Sequence, residues 1–457
     1  MNLNQYKNIY FVGIGGIGMS ALARYFNRKN IKVHGYDKVK SPLCLQLEQE
    51  NIEIHYTDSV SNIPQETKEN IQDTLVVYTP AIPSENKEYT YFKENGFNLL
   101  KRSELLGKIT ENNFTIAIAG THGKTTTSTM IAHILHDSDV DCTAFLGGIS
   151  TNYNSNLILG SEESIVVVEA DEFDRSFLTL SPDIAIITSV DVDHLDIYKN
   201  EESLITAFSD FTNKIKSGGT LFLEGSIDTD LVTREDISVL KYSTSQFSDS
   251  KALNITSSNN VMNFDVLYKE ELISGFNLKM GGEYNVSNAL VSVSVSKLLD
   301  VESDKIIEAL NNFKGVKRRF ETHISTDKAV FIDDYAHHPK EVTESINAVK
   351  QMYPNRDITV VFQPHLYSRT NDFSDEFATA LSLSDQLIIL NIYAAREQEI
   401  EGVTSEMLLE KCTLKKKELS SLKDVVKCIE SKDIDILLTL GAGDISTIVE
   451  PIKSILS

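Results

Sequence analysis

Cysteine is scarce in this chain of 457 residues, and the four present (Cys44, Cys142, Cys412 and Cys428) are scattered with no C-x-x-C pair. That spacing argues against a zinc cluster and fits free thiols in a reducing compartment. No apolar run approaches the roughly 18 residues that a membrane-crossing helix needs. The N-terminus enters a strand directly, without the basic segment and apolar stretch of a secretory signal. The expected location is the cytoplasm, with no membrane partner. Basic residues are outnumbered: 43 Lys and Arg against 66 Asp and Glu leave a formal net charge of -23. Such a surface repels nucleic acid and anionic membranes. An anionic ligand must then be held locally, by helix N-termini, single Lys or Arg side chains, or metal ions. Repeats at solenoid periods and long low-complexity tracts are absent too. The Lys415-Lys416-Lys417 run reads as a solvated face or turn.

What is present is an alternation of buried strands and helices, in a chain long enough for two to four domains. NIYFV (8–12) reads as a strand, Met19 to Asn30 as a helix, and KVHGYD (32–37) and LVVY (75–78) as further strands. A polar break at Glu111-Asn112-Asn113 precedes TIAIA (115–119), IVVV (165–168) and IAIIT (184–188), whose near-continuous apolar character suits a parallel sheet covered on both faces. Residues 245 to 282 alternate more like antiparallel strands, and a helical stretch follows to about Leu299. A third unit starts near Gly315, with strands at AVFI (329–332), TVVF (359–362), QLIIL (386–390) and DILLTL (435–440). The expectation is an α/β protein of three domains, at 1–110, 111–314 and 315–457.

Two phosphate cradles stand out, each between a strand and a helix. The first, Gly13-Ile14-Gly15-Gly16-Ile17-Gly18, puts backbone N–H groups at a helix N-terminus, where they and the helix dipole hold a pyrophosphate. Asp37 ends the next strand, where a dinucleotide fold places an acid on a ribose hydroxyl. This pattern alone suits NAD as well as a UDP-sugar, and a turn that merely packs helix on sheet is the bland reading. The second cradle is Gly120-Thr121-His122-Gly123-Lys124-Thr125, followed by Thr126 and Thr127. Its N–H groups can wrap β- and γ-phosphates, Lys124 can neutralise the transferring phosphate, and Thr125 can bind a metal. It departs from the full Walker pattern, because Ile118 occupies the position of the first glycine. Carboxylates follow at the ends of strands, at Glu169-Ala170-Asp171-Glu172 and at Asp191-Val192-Asp193-His194. Magnesium prefers oxygen ligands, which favours Glu169, with His194 a softer addition. Taken singly, each acid is about as well explained by a helix cap or a loop salt bridge.

The whole chain resembles the Mur ligases of peptidoglycan precursor synthesis. The resemblance rests on GIGGIGMSALA, AGTHGKTTT, EADEFDRSFL, DVDHLDIY, GEYNVSNAL, GVKRRFE, DDYAHHP, QPHLYSRT and GAGDI. It implies an N-terminal Rossmann-like domain for a UDP-sugar, a central P-loop ATPase-type parallel sheet with a small antiparallel sheet, and a C-terminal Rossmann-like domain. It further implies an ATP-dependent amide ligase of the alanine-adding branch. The substrates would be UDP-N-acetylmuramate, ATP and L-alanine, with magnesium (or manganese) accompanying ATP. By the same match, Gly13, Gly15, Gly16 and Gly18 hold the UDP pyrophosphate, with Ser20, Asp37, Thr79 and Arg102 around them. Gly120, Thr121, His122, Gly123, Lys124, Thr125 and Thr126 cradle ATP, and Thr125, Glu169 and His194 hold the metal. Asn288 meets adenine, Arg319 a phosphate and Asp334 the ribose. Tyr335, His337, His365 and Arg369 line the amino-acid pocket. Lys124, His194, Arg319 and His337 are the catalytic candidates, with His194 or His337 helping to deprotonate the amine.

His338 reads as a helix-start residue and Arg318 as a salt-bridge partner. Several residues depart from common family forms: Tyr284, Ser189, Leu366 and the Ala395-Arg396-Glu397 run. Ala207 and Phe208 lie where other members carry a carbamylated lysine, so no such modification is expected. A recycling ligase that adds a preformed tripeptide is the nearest rival. An NAD-dependent oxidoreductase leaves the second cradle unexplained, and a non-catalytic nucleotide-binding regulator leaves the metal and phosphate residues without a task.

Overall fold

A computed structural model describes residues 3–191, 198, 200–227, 231–258, 261–395 and 397–457. The chain divides into two compact units. Residues 1–251 and 291–309 form the first, and 252–290 and 310–457 the second.

The first unit opens with five parallel strands: β1 (Asn8–Val12), β2 (Lys32–Tyr36), β3 (Glu53–His55), β4 (Thr74–Tyr78) and β5 (Asn98–Lys101). Their order is β3-β2-β1-β4-β5. The order reverses beside β1, so the crevice at its carboxyl end is where a doubly wound sheet binds ligands. The glycine loop follows β1 and leads into helix α1 (Ile17–Arg28).

The same unit holds a second sheet, built from β6 (Thr115–Ala119), β7 (Cys142–Ser150), β8 (Ser155–Ile158), β9 (Ile165–Glu169), β10 (Ile184–Ile187), β11 (Thr220–Glu224) and β12 (Ser238–Ser243). These run β12-β11-β10-β6-β9-β7-β8. Only the β7–β8 pair among them is antiparallel. β6 is flanked by β9 and β10, so three carboxyl ends meet where the second cradle begins. One apolar core serves both sheets, including Phe11 and Leu22 from the first and Phe145, Phe177, Phe208 and Phe211 from the second.

β13 (Ser250–Ser258) starts beside β12 in parallel register. In the second unit, β14 (Val261–Tyr268) and β15 (Glu271–Leu278) form the expected antiparallel hairpin. Met262, Phe264, Val266 and Tyr268 alternate into its buried face, as one-sided burial requires. A helix over Glu283–Leu298 follows. The third sheet comprises β16 (Glu321–Ser325), β17 (Val330–Asp334), β18 (Ile358–Phe362), β19 (Gln386–Ile389), β20 (Lys416–Leu419) and β21 (Ile436–Leu440), in the order β16-β17-β21-β18-β19-β20. All pairs are parallel except β16–β17. Of the two readings of the lysine run, the solvated face holds and the turn does not: Lys416 is exposed and pairs with Gln386 on an edge strand. Exposed lysines there discourage pairing with another chain.

The first sheet buries Tyr10 and Glu88 against a half-buried His55. Tyr10 Oη donates to Glu88 Oε2 at 2.6 Å and lies 2.7 Å from His55 Nε2. The Ser59 N–H donates to Glu88 Oε1 at 3.0 Å. Burial pushes the Glu88 carboxyl up to about 7. A carboxyl raised in the folded state gives stability that is full below its unfolded value and is lost as pH rises through the folded one. Glu88→Gln is therefore expected to narrow the difference in urea-unfolding free energy between about pH 5 and about pH 8. An unchanged difference would contradict this assignment.

Candidate active site

The first cradle is closed by side chains that press against its glycines. A Cβ on Gly13, whose φ is 89°, would lie 2.6 Å from Thr79 Cγ2. One on Gly15 would lie 2.8 Å from Asp37 Oδ2, and one on Gly18 2.9 Å from Arg102 Cδ. Thr79, Asp37 and Arg102 are thus brought to the loop as the sequence suggested. Gly16 caps α1 without a side chain, so the positive end of the helix stays open to an anion. Arg102 is half-buried, and its guanidinium makes no hydrogen bond or ion pair with another described residue. Asp37 is differently placed: its two oxygens accept from the N–H groups of Gly15 at 2.8 Å and Val39 at 3.0 Å. Ser20 is fully buried. Its Oγ donates to Ile17 O at 2.9 Å and accepts from Asn156 Nδ2 at 2.9 Å, which engages it with the scaffold.

The second cradle starts at Gly120 (φ 127°) and enters the Lys124–Asp137 helix through Gly123 (φ 82°), both in backbone regions that favour glycine. The chain leaving β10 laces the loop from the side. Thr121 N–H donates to Ser189 O at 3.2 Å, and His122 N–H to Ser189 Oγ at 3.0 Å. Thr121 Oγ1 donates to Asp191 O at 2.9 Å, and Thr188 Oγ1 bonds Ala119 O and His122 O. Ser189 therefore braces the loop backbone. Lys124 Nζ donates to Gly120 O at 2.6 Å and Thr121 O at 3.3 Å, and sits 2.8 Å from Glu172 Oε2. Burial alone would lower the Lys124 pKa, but Glu172, Asp171 and Glu169 together raise it. The ammonium stays charged.

Thr125 Oγ1 lies 2.9 Å from Glu169 Oε2. A Cβ on Gly147 would fall 1.9 Å from that same carboxylate oxygen. Two hard oxygen donors side by side, one of them a carboxylate for which a glycine makes room, suit a magnesium or manganese ion. His194, the third expected ligand and a catalytic candidate, lies outside the described residues, as do Asp193 and Arg396.

The second unit gathers the remaining candidates. Asn288 is buried and donates from Nδ2 to Asn285 Oδ1 at 3.3 Å, while Asn285 Nδ2 donates to Gly281 O at 2.7 Å. Asp334 ends β17 and accepts from Ser345 Oγ at 2.9 Å. Burial pushes its carboxyl up to about 6, against the pull of Arg319. The Arg319 guanidinium lies 4.8 Å from the Tyr335 ring centre. His337 meets His365 edge-on at 5.7 Å, and His365 stacks on Tyr393. Burial lowers both imidazoles to about 4, with the Arg369 charge acting the same way. Both shifts favour the neutral imidazoles. His338 caps the Pro339–Met352 helix. Arg318 Nε pairs with Asp333 Oδ2 at 3.0 Å, and its Nη2 donates to Gly441 O at 2.6 Å. Leu366 holds φ 69° in the turn between His365 and Arg369, with its N–H on Tyr393 O at 3.0 Å.

Three family models match in sequence: a Mur ligase catalytic domain over residues 8–114, the Mur ligase middle domain over 118–296, and a Mur ligase glutamate ligase domain over 318–443. The UDP-N-acetylmuramate–L-alanine ligase of Flavobacterium johnsoniae is 44% identical over 457 residues, covering 100% of this chain and 99% of that protein. This chain belongs to the Mur ligase family. The enzyme of the same name from Porphyromonas gingivalis is 45% identical to this Mur ligase over 452 residues, with 98% and 99% of the two chains covered. Among solved structures, the UDP-N-acetylmuramate–alanine ligase of Thermotoga maritima matches with a TM-score of 0.82 at 26% identity, covering 98% of each chain. A murein peptide ligase from Psychrobacter arcticus shares the fold with a TM-score of 0.71 at 24% identity, again over 98% of each chain.

Sequence reasoning about this Mur ligase missed Glu172, Gly147 and Asn156. Glu172 stood in the quoted EADE run, yet only the fold shows which carboxylate reaches Lys124. Gly147 carries no signal without the β7–β9 pairing that sets it against Glu169. Gly147→Ala is expected to leave the fold intact by circular dichroism while displacing Glu169. About 10- to 100-fold more divalent cation should then be needed for half-maximal turnover. An unchanged cation requirement would remove Glu169 from the metal site.

Proposed function

We propose that this Mur ligase joins L-alanine to the lactyl carboxylate of UDP-N-acetylmuramate through an acyl phosphate, driven by ATP. The observation that carries the reading is the end-to-end likeness to alanine-adding relatives, 44% identical over 457 residues, in a chain that keeps a charged P-loop lysine beside a Thr–Glu oxygen pair. The residue roles below are part of the proposal. So are the boundaries 1–110, 111–314 and 315–457 for the sugar-nucleotide, ATP and amino-acid domains. A cytoplasmic location belongs to the same reading, because ATP is supplied there. Among the described residues, no helix is long and apolar enough to cross a membrane.

A carboxylate is a poor electrophile, because its charge repels an incoming nucleophile. Phosphorylation removes that obstacle. The lactyl oxygen attacks the γ-phosphorus of ATP, the bond to the β-phosphate oxygen breaks, and ADP leaves. The neutral amine of L-alanine then attacks the acyl carbon and inorganic phosphate departs, leaving an amide. Gly13, Gly15, Gly16 and Gly18, with Thr79 and Arg102, hold the sugar-nucleotide pyrophosphate. The N–H groups of the Gly120–Thr126 loop hold the ATP phosphates, and Lys124 follows the charge of the transferring group. Magnesium or manganese, held by Thr125, Glu169 and His194, would supply the charge compensation that two polyanions in an acidic protein demand. In the second unit, Asn288, Arg319 and Asp334 are assigned to adenine, phosphate and ribose. Arg369 is assigned to the alanine carboxylate, and the neutral His337 and His365 to orienting its amino group beside Tyr335.

Phosphate release from ATP should require both UDP-N-acetylmuramate and L-alanine. Release that appears only with a tripeptide in place of alanine would move the enzyme to the recycling reaction. Lys124→Ala should lower turnover by a factor on the order of 100 or more, the usual cost of removing a charged transition-state contact. Near-native turnover of that variant would sink the P-loop assignment.

A further inference from the structure

The two cradles of the first unit are joined by a structural link that neither glycine motif contains. Gly147 of β7 meets the metal-site carboxylate of Glu169, and β7 pairs with β9 from Cys142↔Ile165 to Phe145↔Val168. The chain then turns back as β8, antiparallel to β7. Asn156 of β8 is fully buried. Its Nδ2 donates to Ile17 O at 2.6 Å and to Ser20 Oγ at 2.9 Å, and its Oδ1 accepts from Arg24 Nη1. Ile17 is the first residue of α1, immediately after the N-cap of the sugar-nucleotide cradle. Arg24 is itself fixed, with Nε on both Glu50 oxygens at 2.8 and 3.0 Å and Nη2 on Gln46 Oε1 at 3.3 Å. Apolar contact backs the junction, with the Tyr25 and Phe145 rings 5.2 Å apart.

We propose that Asn156 is a positioning residue: through the β7–β8 hairpin it sets the glycine loop of α1 in register with the strand that carries Glu169. A buried leucine would fill such a place at less desolvation cost. What an amide adds is direction, since both its N–H groups are spent on the first turn of α1 and its oxygen on a charged neighbour. The attacking carboxylate and the γ-phosphate are brought together by the two cradles, so this register governs the approach of the reacting atoms. The inference rests on the function proposed above and names how that site is aligned.

The test compares wild type with Asn156→Ala and the isosteric Asn156→Asp, which keeps the volume and loses both donors. Affinities for UDP-N-acetylmuramate alone and for ADP alone are measured by calorimetry, and kcat by phosphate release. Both affinities should stay within about twofold, because each cradle remains whole, while kcat falls on the order of 10- to 100-fold from misalignment. Unchanged kcat in a folded variant would overturn the proposal. So would a loss of kcat matched by loss of both affinities and of thermal stability, which marks a merely structural amide. A wild type that turns over, beside an unimpaired variant, removes this inference alone. A wild type without alanine-dependent release would remove the function reading and this inference with it.

Discussion

The nucleotide loop depends on one buried ion pair. The Lys124 ammonium has three donors, and three acceptors meet them: Gly120 O, Thr121 O and the Glu172 carboxylate. Glu172 is 1% exposed. Neither charge would be tolerated there alone, since breaking one member of a buried pair strands the other at a cost of about 3–5 kcal/mol. The lysine is therefore stapled to the backbone of the loop it serves. A phosphate that enters must draw the ammonium from a carboxylate. Three carboxylates, from Glu169, Asp171 and Glu172, already weigh on it. Such a site receives a polyanion on favourable terms only when a cation comes with it.

The same constraint acts on the whole molecule. With a formal net charge of -23, the protein cannot gather anions by its general field. The function proposed leaves the task to local devices: a helix N-terminus at Gly16, another after Gly123, a half-buried Arg102, Arg319 beside Tyr335, and Arg369 near the two histidines. Glycine makes the first two possible by leaving out a side chain. At Gly13, Gly15 and Gly18 the missing Cβ is what lets Thr79, Asp37 and Arg102 close on the loop. At Gly147 it is what leaves room for Glu169.

How much of this was legible in the sequence follows from the range of each interaction. β1, β6 and the helices after them could be read because apolar runs and glycine spacing are local. The expected strand at 8–12 and the helix at 285–299 agree with Asn8–Val12 and Glu283–Leu298. The helix-start role of His338 was equally local. Lys416 was read as a solvated face or turn because exposure looks the same on an edge strand, and its pairing with Gln386 spans a sequence gap that no pattern reveals. Asp37 shows a subtler limit. Its oxygens accept from the N–H groups of Gly15 and Val39, a structural role that residue type alone does not reveal. Glu172, Gly147 and Asn156 act across strand pairings, and residue type alone says nothing about which of several similar acids or amides is the one that meets its partner.

Those missed residues share a logic. The motif residues of each cradle can bind a phosphate by themselves, but a reaction between two bound molecules needs a distance as well as two sites. Under the function proposed, that distance is set by the scaffold between the two cradles. In this chain the scaffold includes a hairpin that touches a metal-site carboxylate with one strand and the first turn of α1 with the other. A hydrophobic contact between hairpin and helix would permit sliding, since apolar burial is non-directional. Hydrogen bonds from Asn156 to a particular carbonyl and a particular hydroxyl do not, because a shift of one residue would take the buried amide away from its partners at a cost of about 1–3 kcal/mol. If the proposed function holds, the polar junction is thus what keeps the two cradles at a set separation in a protein whose general field repels both ligands.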